Sequence, residues 1–234
     1  MLDELRRDLR AQADPGKAKI LQGFFKTGPG EYGEGDIFLG LVVPKIRALS
    51  KKYSRLDIND AEKLLSSPIH EERLCALLIL VLKFENGNAE EKKEIYRRYL
   101  KNTGCINSWD LVDLTAGRIV GAFLRTKDKS VLHKLAGSKN MWERRIAILA
   151  TFHFIKSGKH ARTFAVAGIL INDEHDLIHK AVGWMLREVG KRIGIDIEES
   201  FLESRYKKMP RTMLRYAIER FPETKRQAYL KGKI

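Results

Sequence analysis

Cysteine is scarce in this chain. Only Cys75 and Cys105 occur in 234 residues. Both sit inside apolar helical patterns, so no disulfide framework exists and the usage fits a reducing cytosol. The six histidines never fall into a His/Cys ligand spacing; no metal site and no cofactor is expected. No apolar run approaches the roughly 20 residues of a membrane span. The first residues, Met1-Leu2-Asp3-Glu4-Leu5-Arg6-Arg7, lack the apolar region of a secretion signal. A cytoplasmic protein with no membrane partner is therefore expected. Strand-like alternation of useful length is missing and there are only six prolines, which leaves an all-α chain. Gly28-Pro29-Gly30-Glu31-Tyr32-Gly33-Glu34-Gly35-Asp36 is glycine-rich, but no Gly-Lys-Ser/Thr closes it. It is not a phosphate loop and reads as an ordered connector with positive-φ turns.

Acidic residues are also short. Lys and Arg number 44 against 30 Asp and Glu, giving +14 and a pI near 9.8. Such a balance favours a polyanionic partner, most often nucleic acid. With 44% hydrophobic residues the chain can still build a sizeable core. Residues 1–234 read as a single domain and a monomer.

From Pro44 onward, helical patterns alternate with short polar breaks. After 2–12 and 17–26, helices are expected at 44–53, 59–66, 70–85, 89–101, 108–124, 128–136, 141–157, 160–171, 175–193, 196–206, 210–220 and 223–231. Ser67-Pro68, Asn86-Gly87-Asn88, Ser138-Lys139-Asn140, Asn172-Asp173 and Met209-Pro210 punctuate them. Glu72-Arg73-Leu74-Cys75-Ala76 aligns with Glu143-Arg144-Arg145-Ile146-Ala147 at a shift of 71 residues, two units of about 35. Helix-pair repeats of that length point to an α-solenoid, whose inner helices line a concave face.

Taking Trp109, Arg145, Lys180 and Arg215 as equivalent inner positions puts Asp113 and Trp184 one turn on, and Arg187 two turns on. Two Trp, one Asp, three Arg and a Lys thus share one stripe. Other positions supply the core: Leu111, Val112 and Ile119; Ile146, Leu149 and Ala150; Val182, Leu186 and Val189. A core Trp belongs on the apolar stripe, and Trp109 and Trp184 do not lie there. Trp142, beside the turn at Asn140, reads as a packing residue. Pattern alone leaves Asp113 open between a surface salt bridge and a chemical group. Arg205 to Ile234 carries ten Lys and Arg against Glu219 and Glu223, or +8 of the total. This is either a solvated solenoid cap or a footprint on a phosphate backbone, with Arg211 and Arg215 as contacts.

Three inner motifs carry a resemblance. They are Asn107-Ser108-Trp109-Asp110-Leu111-Val112-Asp113, Met141-Trp142-Glu143-Arg144-Arg145-Ile146-Ala147-Ile148-Leu149 and Lys180-Ala181-Val182-Gly183-Trp184-Met185-Leu186-Arg187-Glu188. With Lys26–Asp36 and Met209–Ala217, the sequence resembles the AlkD-type DNA alkylation repair family over nearly its whole length. The resemblance implies HEAT-like repeats with double-stranded DNA in a concave, basic face, and excision of N3- and N7-alkylated purines. It assigns Trp109, Asp113 and Trp184 to catalysis and Arg145 and Arg187 to the DNA backbone, with Lys180 beside them. Where the family has a DNA-contacting Tyr near the end of its second helix, this chain has Phe24-Phe25, with Phe24 the match; the ring is kept and the hydroxyl lost.

A cationic alkylpurine leaves without protonation, so no general acid is needed. The charge to stabilise is on the deoxyribose, which a fixed carboxylate and aromatic faces can do. A DNA glycosylase of base excision repair is the reading this supports. A non-catalytic HEAT-repeat binder of damaged or branched DNA is the alternative, and a protein-interaction scaffold a third.

Overall fold

Asp14-Pro15-Gly16, which falls between the helices expected at 2–12 and 17–26, opens a helix. In the structure, a computed structural model describing residues 1–234, Asp14 Oδ1 accepts the Lys17 backbone N–H at 3.0 Å. Pro15 takes the first helical position, where its missing N–H costs nothing. The chain is all-α. Its helices are α1 (Leu2–Ala11), α2 (Pro15–Phe24), α3 (Val43–Lys52), α4 (Ile58–Leu65), α5 (His70–Asn86), α6 (Ala89–Lys101) and α7 (Trp109–Ala116), followed by α8 (Ser130–Ala136), α9 (Met141–Ala150), α10 (Phe152–Ile155), α11 (Ala161–Ile169), α12 (Asp176–Arg192), α13 (Ile195–Leu202), α14 (Arg211–Ala217) and α15 (Glu223–Leu230). There is no strand, only an isolated bridge between Ile37 and Ile69. No helix is long and apolar enough to cross a membrane.

Two expected helices are interrupted. The run 108–124 leaves α-geometry after Ala116 and passes through a wide π turn, Gly117–Gly121, into a 3-10 turn, Leu124–Thr126. Glycine at both ends of the π turn weakens the helical preference there. The run 141–157 breaks at Thr151, whose hydroxyl donates to the Ile148 carbonyl at 2.6 Å and competes with the helix ladder.

The chain divides into two compact units, Met1–Thr115 and Ala116–Ile234. In the first, α1, α3, α4 and α6 pack around α5, which is buried on every side from His70 to Val81. That burial includes four polar residues in its first turn, so each requires a partner. Glu71 accepts the backbone N–H groups of Leu39, Gly40 and Leu41 at 2.9, 2.8 and 3.1 Å. Glu72 lies between Arg6 (3.4 Å) and Arg10 (3.5 Å) of α1. Gly40 has φ +89°, and a Cβ there would come within 2.1 Å of the Asp14 carbonyl oxygen, so only glycine fits. The start of α2 is seated at this point, with the Asp14 N–H donating to the Leu39 carbonyl at 2.8 Å.

In the second unit α12 is the central helix, packed by α9, α11, α13 and α14. Its approach to α14 depends on Gly183, where a Cβ would meet the Met213 carbonyl oxygen at 2.4 Å and Tyr216 Cβ at 2.5 Å. The residues assigned to the core from periodicity are buried in both units, from Leu111 and Val112 to Leu186 and Val189, and Trp142 is buried as a packing residue.

Candidate nucleic-acid interface

In the first unit the site is built on α7. Its buried positions are Asp110, Leu111, Val112, Thr115 and Ala116, while Trp109 and Asp113 are half-buried one turn apart and share a face. Two rings from the end of α2 pack on Trp109. Phe25 stacks on the indole with centroids 5.1 Å apart and planes 9° from parallel. Phe24 meets it edge-on at 5.9 Å. Phe25 is buried; Phe24 is 62% exposed. α2 buries none of its ten residues; Phe24, beside the indole, and Ile20 are apolar side chains left exposed.

Beneath Phe25 lies a polar cluster. His70 stacks on Phe38 at 4.5 Å and lies 4.9 Å from Phe25. Its two ring nitrogens face Asp36 and Asp110, at 3.0 and 2.9 Å. Behind Asp113, Tyr99 is fully buried with its hydroxyl 2.9 Å from Thr115 Oγ1. Burial, together with the Asp113 charge, raises the Tyr99 pKa and keeps the phenol neutral.

In the second unit Trp184 is half-buried on α12, and its indole lies 6.2 Å from the Phe152 ring. Lys156 Nζ and the Arg192 guanidinium lie 4.6 and 5.1 Å from the Phe152 ring centre. Lys180, half-buried, pairs with Asp176 at 2.7 Å. Arg187 pairs with Glu219. Arg211 donates to the Leu230 carbonyl at 2.8 Å, and Arg215 is exposed on α14. Arg145 departs from the stripe assigned from repeat spacing. It is 5% exposed, with its guanidinium donating to the Leu177 carbonyl of α12. The spacing gave it the same outward position as Trp109; the packing of α12 against α9 covers it. No group of three or more His, Cys, Asp or Glu side chains is placed to hold a metal ion.

A half-buried Trp and carboxylate thus share one face, beside an exposed ring, in a strongly basic chain. A family model described as DNA alkylation repair enzyme matches residues 5–221. The chain belongs to the DNA alkylation repair enzyme family. Among solved structures, a protein described as a predicted DNA alkylation repair enzyme from Enterococcus faecalis has a similar fold. The TM-score is 0.69 at 17% identity, covering 91% of this chain and 98% of that one. No curated protein matches. Family membership makes DNA the substrate class. Sequence reasoning missed two residues of the packing beneath Trp109. Phe25 was passed over for Phe24, although the doublet itself was the signal. His70 was one of six unremarked histidines, and nothing local distinguished it.

Proposed function

We propose that the protein is a DNA glycosylase that excises cationic N3- and N7-alkylpurines, such as 3-methyladenine and 7-methylguanine, by hydrolysing the N-glycosidic bond. One observation carries the reading: Trp109 and Asp113 share the face of α7 that the core leaves half-open, with Phe24 beside the indole. The alkylated base is already cationic and leaves without a general acid. As the bond breaks, positive charge grows on the deoxyribose. Asp113 stabilises that charge as a fixed anion and orients the attacking water. Trp109 and Trp184 pack on the sugar, each contributing about 0.5–2 kcal/mol by cation–π attraction.

In this reading the helices form an α-solenoid of HEAT-like repeats, acting as one domain and as a monomer, with duplex DNA in a concave, basic face. Lys180, Arg187, Arg211 and Arg215 contact phosphates, which position the DNA without reading its sequence, and Phe24 packs against the duplex. Arg145 belongs to the same set. Its burial makes it the member whose loss lowers stability as well as affinity.

The test is release of 7-methylguanine from a duplex under single-turnover conditions. The protein is expected to release the base. Asp113→Asn is expected to lose about 100-fold or more of the rate while binding the same duplex. No release at any enzyme excess sinks the glycosylase reading, and full activity in Asp113→Asn removes Asp113 from the mechanism.

A further inference from the structure

Asp36, His70, Arg73 and Asp110 form a buried charged quartet that the chemistry above does not use. They are 7, 2, 4 and 6% exposed. His70 Nδ1 lies 3.0 Å from Asp36 Oδ2, and Nε2 lies 2.9 Å from Asp110 Oδ2. Arg73 Nη2 donates to the same Asp36 oxygen at 2.6 Å, and Nη1 donates to the Ser67 carbonyl at 3.0 Å. A ring with a carboxylate on each nitrogen donates from both and is an imidazolium. Burial and Arg73 oppose that charge, but the bonds to Asp110 and Asp36 outweigh them and push the His70 pKa up to about 9. Two cations then balance two anions. A buried ionic network of this kind is weak as a source of stability against a well-packed apolar one; what it fixes here is a set of positions.

Two routes lead from His70 to Trp109. Along the chain, Asp110 is the next residue after Trp109, so its bond to His70 anchors the first turn of α7. Through the rings, Phe25 touches Phe38 (5.0 Å), His70 (4.9 Å) and Trp109 (5.1 Å). We propose that His70 is a positioning residue for Trp109, clamping the start of α7 through Asp110 and the indole plane through Phe25. The groups facing the imidazole are Asp36 from the loop before α3, Asp110 from α7, Arg73 from its own helix, and the rings of Phe25 and Phe38. The use of that indole in catalysis rests on the glycosylase reading; its pose does not.

The test therefore reads pose and activity separately. In a Trp142→Phe/Trp184→Phe background, Trp109 is the sole tryptophan and reports its own freedom through acrylamide quenching. His70→Gln/Asp110→Asn removes the imidazolium while keeping the buried charges balanced and every ring in place. Phe25→Leu cuts the ring route with the quartet intact. Both are expected to raise the Trp109 quenching constant by about twofold or more, as side-chain motion increases. In the otherwise native protein, both are expected to slow single-turnover release of 7-methylguanine by about tenfold or more, with DNA affinity within about twofold. Folded His70→Gln/Asp110→Asn protein with unchanged Trp109 quenching overturns the proposal, whatever Phe25→Leu does. If the native protein releases no base, the glycosylase reading fails and the quenching result still decides this one.

Discussion

Phe25 lies under Trp109 with the two rings 9° from parallel and 5.1 Å apart, and its neighbour Phe24 stands at the indole edge, 62% exposed. Consecutive residues at one helix end thus divide a task. One fills the space beneath the indole and the other widens the surface beside it. A Trp without such support would sink into the core or rotate freely; here it is held half-open.

Phe24→Ala separates surface from support. Phe24 has little core to lose, so the unfolding free energy is expected to change by less than about 0.5 kcal/mol. Affinity for duplex DNA is expected to fall by roughly fivefold, the loss of about 1 kcal/mol of apolar burial. Urea denaturation and fluorescence anisotropy measure the two quantities. An unchanged dissociation constant would take Phe24 off the interface.

Arg187 has a competitor. Its guanidinium pairs with Glu219, and the two side chains are 19 and 54% exposed. Glu219→Gln removes an anion from beside a proposed phosphate contact. Binding is expected to tighten several-fold at low salt, with a steeper salt dependence, and stability to move by less than about 1 kcal/mol. Titrations at several salt concentrations check this. Weaker binding would mean that Glu219 holds Arg187 in its working position.

His70 couples stability to pH. The folded protein holds this proton up to about pH 9, whereas the unfolded chain releases it near 6.5. Between those values the native state binds more protons than the unfolded state, so stability falls as pH rises. The contribution is fully present below 6.5 and lost through 9, on the order of 3 kcal/mol in all. Denaturation series from below to above this window are expected to show the decline in the native protein. His70→Gln/Asp110→Asn is expected to lack it.

Gly183 sets the α12–α14 spacing. Gly183→Ala drives a methyl group against the Met213 carbonyl oxygen and Tyr216 Cβ, an overpacking cost of about 1–3 kcal/mol. The melting temperature should fall, and the emission of the adjacent Trp184 should shift. An unchanged melting temperature would mean that the two helices separate freely.

The core was readable because periodicity states it directly. Leu111, Val112, Ile146, Leu149, Val182 and Leu186 fall where helical spacing puts them, and all are buried. Helix starts were readable where a short polar side chain caps them, as Asn88 and Asn140 do. The break at Thr151 was hidden, since one hydroxyl turning back on its own helix leaves no trace in an apolar pattern. The burial of Arg145 was hidden for another reason: repeat spacing places a residue on a face but does not report which neighbour covers it. The quartet was the least readable. His70-Glu71-Glu72-Arg73 looks like the solvated first turn of a helix, and its partners Asp36 and Asp110 lie 34 and 40 residues from His70. Only the tertiary fold brings such groups together.

α2 has no residue in the core and is fastened at its ends, by Asp14 against Leu39 and Gly40 and by Phe25 in the ring stack. The exposed positions between carry little obligation to the fold. Lys17, Lys19, Ile20 and Gln22 can be exchanged without disturbing anything beneath them, while Asp14, Gly40 and Phe25 cannot. The helix is an interchangeable faceplate on a fixed mount. Natural drift or a designed library can rewrite its outer face and leave the seat of the indole untouched.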